Sequence, residues 1–322
     1  MDIQELLTAF GKYYLNNGQN LKRIKNMPFQ GEVLTKYATL IKTDETVYRL
    51  AQARINSIVQ SFQKTWTPKN AAKFVPKEIR QYHFKIDEDV QPDDIEASWL
   101  GFLASSSQKR TDWPLIKYLI ETLYMPQIQK DMELKEYYKG VFIEPEIGNA
   151  GSTGSSMNGI QYLLKEGVEN STINSIHLGP LHKDTIFDQI ELFADSIAEE
   201  FQGMGMNVML SPKWHREYMR DKRAQGFYQI DGAAQIKNDI DFTPFSVVGI
   251  PGMYGTDDIF ATPKENLLHL TKKSENKTNV HLEESKRTVS FMTDWWEGLG
   301  FGINEAVWTN IRPSGSGSGS GS

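Results

Sequence analysis

Apolar positions along this chain follow two rhythms, one helical and one extended. In "TDETVYRLAQARINSIVQSFQKTW", Val47, Leu50, Ile55, Ile58, Val59, Phe62 and Trp66 recur mostly three or four apart, which predicts one stripe of a helix beginning near Thr43. "DWPLIKYLIETLYMPQIQKDMELKEYYKG" predicts another helix, with Asp112 as N-cap, Pro114 near its first position and Leu115, Ile116, Leu119, Ile120 and Leu123 on one face. Pro126 has no N–H to give, so a kink or a short second segment is expected before Gly140 ends the stretch. "DTIFDQIELFADSIAEEFQG" turns Ile186, Ile190, Phe193, Ile197 and Phe201 inward and Glu191, Asp195 and Glu199 outward, between a cap at Asp184 or Thr185 and Gly203. "SPKWHREYMRDKRAQG" predicts a helix capped by Ser211, with Pro212 in its first turn and Gly226 past its end.

The extended rhythm appears in "QYHFKID", in the short apolar "MNVML", and through the last third in "FSVVGIP", "NLLHLT", "NVHLEES" and "TVSFMTDWW". Turn-rich pieces such as "GMYGTDD" and "KKSENKTN" separate them. Helices and strands intersperse without regular βαβ alternation and without a fixed repeat, so the predicted class is α+β. The first 42 residues have weaker periodicity and several Gly and Asn breaks, and they read as an arm that docks elsewhere.

Composition narrows the function. A chain of 322 residues suggests about two structural units and a sizeable core. Its net charge of −6 argues against electrostatic attraction to nucleic acid, although it leaves passive contact open. The absence of cysteine removes disulfides, thiolate zinc sites and cysteine nucleophiles. The start lacks the pattern of a signal peptide, and no apolar run is long enough to span a membrane. The terminal "SGSGSGSGS" reads as an engineered flexible linker.

Four places could carry chemistry, and each has a plainer structural reading. "EIGNAGSTGSSMNGIQ" (146–161) lacks the Lys-Ser/Thr of a phosphate loop, the turn of a dinucleotide site and the spacing of a nucleophile elbow, so it is expected to be a flexible connector. His177 and His182, near Asp184 and Asp188, are imidazoles and carboxylates that could bind zinc, yet a spacing of five broken by Gly-Pro is no recurring ligand geometry, and a surface turn before a helix explains every residue. Asp294 and Glu297 beside Trp295 and Trp296 are the residue types that flank and stack a sugar in glycoside hydrolysis; a strand leaving the core at a tight turn would carry the same set. Arg216, Arg220, Lys222 and Arg223 could grip phosphates, but with Glu217 and Asp221 interleaved they read as a solvated or subunit-facing surface. No catalytic, cofactor-binding or metal-binding set is assigned, and no cofactor is expected.

The order of segments resembles the major capsid proteins of tailed bacteriophages with the Hong Kong 97 shell fold, particularly those of phages with Bacteroidota hosts, over roughly residues 43–311. "FKIDEDVQPDDIEASWLGFL" is similar to the extended-loop region, "WPLIKYLIETLYMPQIQKDMELKEYYKG" to the spine helix, and "GVFIEPEIGNAGSTGSSMNGIQYLL" to the glycine-rich passage after it. "MLSPKWHREYMRDKRAQGFYQ", "FSVVGIPGM" and "IFATPKENLLHL" are similar to axial-domain segments, and "HLEESKRTVSFMTDWWEGLGFGINEAVWTN" to the strands that return to the peripheral domain. The resemblance implies an N-terminal helical arm over 1–73, an extended-loop region over 74–111, a peripheral domain over 112–167 plus 279–312, an axial domain over 168–278 and a Gly-Ser linker over 313–322. The glycine-rich loop would then join peripheral to axial domain.

The implied function is assembly, not turnover. Copies of the chain would form hexamer-like and pentamer-like rings that close as an icosahedral shell around double-stranded DNA, contacted non-specifically. The resemblance also implies scaffolding, portal and decoration proteins as partners, a virion location with assembly in the bacterial host cytoplasm, and no membrane contact. Two other readings stand beside it: an encapsulin-like nanocompartment shell, and a soluble hydrolase using Asp294 and Glu297 or the His177/His182 pair.

Overall fold

A computed structural model describes residues 33–55, 59–69, 72–91, 99–100, 103, 118, 120, 124–225, 238–273, 281–285 and 288–314. The expected arm up to residue 32, Ile58, the helix start at Asp112 and Pro114 with its Leu115, Ile116, Leu119 and Leu123 face, Gly226, the "KKSENKTN" turn from Ser274 on and the tail beyond Ser314 lie outside these.

Twelve strands, β1 (Thr39–Lys42), β2 (Val47–Ile55), β3 (Ala72–Arg80), β4 (Tyr82–Val90), β5 (Asn174–Ser175), β6 (Met206–Leu210), β7 (Phe245–Gly249), β8 (Ile259–Pro263), β9 (Leu267–Thr271), β10 (His281–Ser285), β11 (Thr288–Phe301) and β12 (Trp308–Thr309), are found among the described residues. The α-helices there are α1 (Met125–Asp131), α2 (Ile160–Glu169), α3 (Ile186–Asp195), α4 (Glu199–Gln202) and α5 (Pro212–Ala224). The α+β expectation holds.

One sheet is organised by the 14-residue β11. β4 runs antiparallel to it from Val289↔Val90 to Glu297↔Tyr82, β10 pairs with its first residues, and β9 pairs with Glu297–Phe301 before passing to β1 in parallel. A second sheet has the order β5-β12-β8-β6-β7. Its strands point alternate residues to opposite sides, as the pleat dictates. Val208, Leu210, Val247, Ile259, Ala261 and Trp308 enter a core with α3 and α5, whereas Met209, Val248, Phe260 and Val307 enter another with α1, α2, β4 and β11. This sheet is the wall shared by the two cores. That position explains why β8, "IFATP", is buried along its whole length.

A separate two-stranded sheet overturns the first helix expected. Val47–Ile55 is a strand, antiparallel to β3 from Val47↔Arg80 to Ile55↔Ala72. The local stripe fits a helix, but Tyr48 and Leu50, two apart, pack beside Ile79, Leu268 and Leu270, and Arg49 bonds Glu78 across the ladder at 2.9 Å. A partner some 25 positions along the chain thus decides the conformation, as is usual where packing overrides propensity. The hairpin base rests on β11 at Gly298, where a Cβ would overlap the Arg80 carbonyl.

The other expectations fare better. Pro126 stands in the first turn of α1, after Ile120 and Tyr124 in π-helical geometry, and a second π-helical segment, Met132–Glu136, follows α1. The missing N–H of Pro126 thus falls at the junction between π-helical and α-helical turns, where the hydrogen-bond register changes. The helix expected to run to Gly203 breaks after Asp195 and resumes as α4, while Ile186, Ile190, Phe193 and Ile197 are buried as expected. Thr185 and Ser211 hold the N-cap positions without side-chain cap bonds. α2, "IQYLLKEGVE", is a helix that the glycine-dominated reading of its approach leaves out.

Candidate assembly surface

The β2–β3 hairpin packs on the body through Tyr48, Leu50 and Ile79, near its Val47/Arg80 end. Between its strands, residues 59–69 have no regular structure, and Val59, Phe62 and Trp66 there are 85, 92 and 88% exposed. This tip is tied from within by polar side chains. Gln60 Nε2 donates to the Thr67 carbonyl at 2.9 Å, Gln63 Nε2 to Thr67 Oγ1 at 2.6 Å, and Lys69 Nζ to the Val59 carbonyl at 2.6 Å. Those bonds satisfy the loop locally and leave three large apolar side chains facing out. Single exposed apolar residues need no explanation; a tethered cluster between two strands does. The sequence stripe joins these residues to Val47, Leu50 and Ile55 in one helix, whereas Val47, Leu50 and Ile55 belong to β2 and residues 59–69 have no regular structure. The true signal of Val59, Phe62 and Trp66 is the polar Gln60, Gln63, Thr67 and Lys69 set interleaved with them.

At the hairpin base, a groove of about 330 Å³ lies between β3 and α2, lined among others by Lys77, Arg80, Glu166, Thr172 and Asn304. Lys77 Nζ donates to Asn304 Oδ1, and Asn304 Nδ2 donates to Thr172 Oγ1 at 2.9 Å. Burial pulls the Lys77 ammonium down to about 8, against the pull of nearby Glu166. Arg80 stacks on Tyr82 and Phe142, its guanidinium 5.3 and 5.1 Å from their ring centres. These contacts fix the hairpin's angle to the body.

The carboxylate pair that might flank a sugar is split. Asp294 and Glu297 lie an odd number of residues apart on β11, which continues straight through this stretch to Phe301, so they face opposite sides of the sheet. Asp294 is half-exposed beside His83 at 2.8 Å, with His83 stacked on Trp296 at 4.4 Å and Lys272 Nζ 3.8 Å from the Trp296 ring centre. Glu297 is fully buried: it bonds His269 Nε2 and accepts from Tyr137 Oη at 2.7 Å and Trp295 Nε1 at 3.2 Å. No single ligand can lie between the two acids. The hydrolase arrangement is absent from these residues.

The remaining candidates also resolve into structure. His177 meets Arg312 at 3.1 Å, the backbone N–H of His182 donates to Gln189, and Thr185 closes a turn on the His182 carbonyl, which is the surface turn expected. No group of three or more His, Asp, Glu or Cys side chains that could hold a metal ion occurs among the described residues. The basic cluster does not form one surface. Arg216 and Arg223 are exposed and Arg220 pairs with Glu217 at 2.7 Å, but Lys222 is buried, donating to the Asp239 carbonyl and to Asp241 Oδ1 at 2.7 and 2.8 Å. Trp214, Tyr218 and Lys222 are each four apart, so helical spacing itself sets Lys222 on the buried face of α5.

The glycine-rich passage is a tied loop, not the slack connector expected. Buried Glu136 accepts the N–H groups of Gly154 at 2.6 Å and Ser156 at 3.2 Å, and Asn158 Oδ1 accepts that of Phe142 at 2.8 Å. The loop returns the chain to α2 inside the same core as α1. Residues 143–153, Ile147 among them, stand exposed.

No family model matches the chain, and no curated protein does. Solved structures do. The chain is similar to one in the procapsid of satellite phage P4 that includes the size determination (Sid) protein, with 12% identity, a TM-score of 0.54, and 92% of this chain and 99% of that chain covered. It is similar also to the capsid of the native GTA particle, at 10% identity and TM-score 0.52 over 87% of this chain and 90% of that one. The capsid of the empty GTA particle matches at 11% identity and TM-score 0.51, over 86% and 94%. The fold is a phage-capsid fold. At such identities the likeness is one of backbone architecture, and it extends over most of the length of both chains.

Proposed function

We propose that this chain is the major shell subunit of a tailed bacteriophage, building hexamer-like and pentamer-like rings that close into an icosahedral container for double-stranded DNA. The observation that carries this reading is the tethered tip with Val59, Phe62 and Trp66 exposed. Burying each is worth about 1.5–3 kcal/mol, and none of the described residues supplies that burial. A second copy is the occupant that needs no further partner, and head-to-tail contacts of one surface with a different surface close into rings. The capsid architecture supports the same reading.

Within it, the β2–β3 hairpin is the extended loop, so that region begins before residue 74, inside the stretch the sequence reading gives to a helical arm. The core with α1, α2 and β11 corresponds to the peripheral domain, and the core with α3 and α5 to the axial domain. The net charge of −6 suits a wall that lets packaged DNA slide. Scaffolding, portal and decoration proteins are the expected partners, assembly takes place in the host cytoplasm, and no catalytic step is assigned.

Negative-stain imaging of the purified chain, alone and with any scaffolding protein encoded beside its gene, tests this. Uniform closed particles are expected; a monomer under both conditions contradicts it. Particles that hold an enzyme cargo and no DNA during infection would assign the shell to a nanocompartment instead.

A further inference from the structure

Three distant parts of the chain meet at one buried carboxylate. Glu133 Oε2 accepts the backbone N–H groups of Val33 and Leu34 at 3.0 and 3.2 Å, and Glu133 Oε1 faces the N–H of Gly252 at 3.4 Å. Val33 and Leu34 begin the turn that leads into β1, with Leu34 fully buried in the core with α1, α2 and β11. Gly252 belongs to the single turn Pro251–Met253 that follows β7, where the chain leaves the wall between the cores. That turn lies so close that a Cβ on Gly252 would overlap the Glu133 carbonyl. The π-helical segment Met132–Glu136 buries Glu133 and Glu136 together, and Glu136 is occupied separately with Gly154 and Ser156.

A carboxylate can accept on both oxygens at once. A carboxylic acid accepts more weakly at its hydroxyl oxygen, whose proton must turn away from a facing N–H, and the NH2 of a carboxamide does not accept at all. The arm residues use one oxygen of Glu133 and the Gly252 turn uses the other. We propose that Glu133 is a proton-operated clasp, which when ionised holds the Val33–Leu34 turn and the Gly252 turn together and when neutral releases one of them.

The surroundings favour such a switch. Burial, the largest influence, pushes the Glu133 carboxyl above the usual range, opposed by the three amides and by Lys36. Lys36 is the charge on the arm side, Asp131 and Lys135 on its own helix pair with each other at 3.2 Å, and Pro251–Met253 carries no ionisable side chain. Because the folded-state value is raised, the buried ionised form costs stability at neutral pH, and protonation relieves that cost while it opens the clasp. Local release and global destabilisation therefore have opposite signs, which makes the two separable.

Hydrogen exchange of the full chain, resolved to residues 33–36 and 250–254 and corrected for intrinsic exchange rates, tests the clasp. On lowering the pH from 7, one of these two sites is expected to lose at least tenfold protection, at a pH above that of an ordinary glutamate. Glu133→Gln is expected to show that loss already at pH 7, with no pH step and no fall in its denaturation midpoint. Glu136→Gln is expected to leave the step in place. Wild-type protection that does not change with pH at either site overturns the proposal, as does a step that persists in Glu133→Gln. If Glu133→Gln proves insoluble, the wild-type series decides alone.

Discussion

Tyr137 Oη donates to Glu297 Oε1 at 2.7 Å inside the core, joining the turn after the π-helical segment to the middle of β11. His269 from β9 and Trp295 from β11 complete the set, so a buried acid is satisfied by three different side chains. Removing it takes a shared buried acceptor from Tyr137, His269 and Trp295. Glu297→Ala is expected to cost about 3–5 kcal/mol in chemical denaturation. Asp294→Ala, on the other face in an exposed pair with His83, is expected to cost no more than about 1 kcal/mol. Equal effects would contradict the assignment of these acids to opposite faces.

Phe62→Ser and Trp66→Ser remove apolar surface that the isolated chain does not bury. The subunit's own stability should stay within about 0.5 kcal/mol. The double variant should lose assembly, seen as a sedimentation profile restricted to subunits under conditions where wild type forms particles.

Lys77 gives a signed pH effect. Its folded value of about 8 lies below the ordinary lysine value of 10.5, so between those limits the unfolded chain binds more protons than the folded one. The Lys77 contribution to stability is therefore expected to rise as pH rises from 8 towards 10.5. Denaturation midpoints of wild type and Lys77→Met, compared at both ends of that window, should converge or diverge accordingly; a difference that does not change with pH contradicts it.

Gly298→Ala places a methyl group against the Arg80 carbonyl, where β3 leaves the hairpin. The overpacking is expected to cost about 1–3 kcal/mol and to raise hydrogen exchange at the hairpin base more than in α3.

What was legible in the sequence is what local chemistry decides. α3 and α5 announce themselves because one face of each meets a core, and β6, β7, β9 and β11 because short apolar or alternating runs end at turn residues. Val47–Ile55 was not legible as a strand, since its spacing fits a helix and only its pairing with Ala72–Arg80 makes it extended. Glu133 and Glu136 were hidden for a related reason: charged residues in a helix read as outward-facing until the amides they accept, from Val33 to Gly252, are known. The Asp294/Glu297 pair could have been separated from spacing alone, because residues an odd number apart on a strand cannot share a face.

The most direct measurement compares the hairpin tip in the free subunit and in the assembled particle by hydroxyl-radical footprinting of Phe62 and Trp66. Copies that complete one another's surfaces should protect both side chains several-fold on assembly, while the half-exposed His83–Trp296 face serves as the internal reference. Assembled particles in which Phe62 and Trp66 react as fast as in the free subunit would contradict the account.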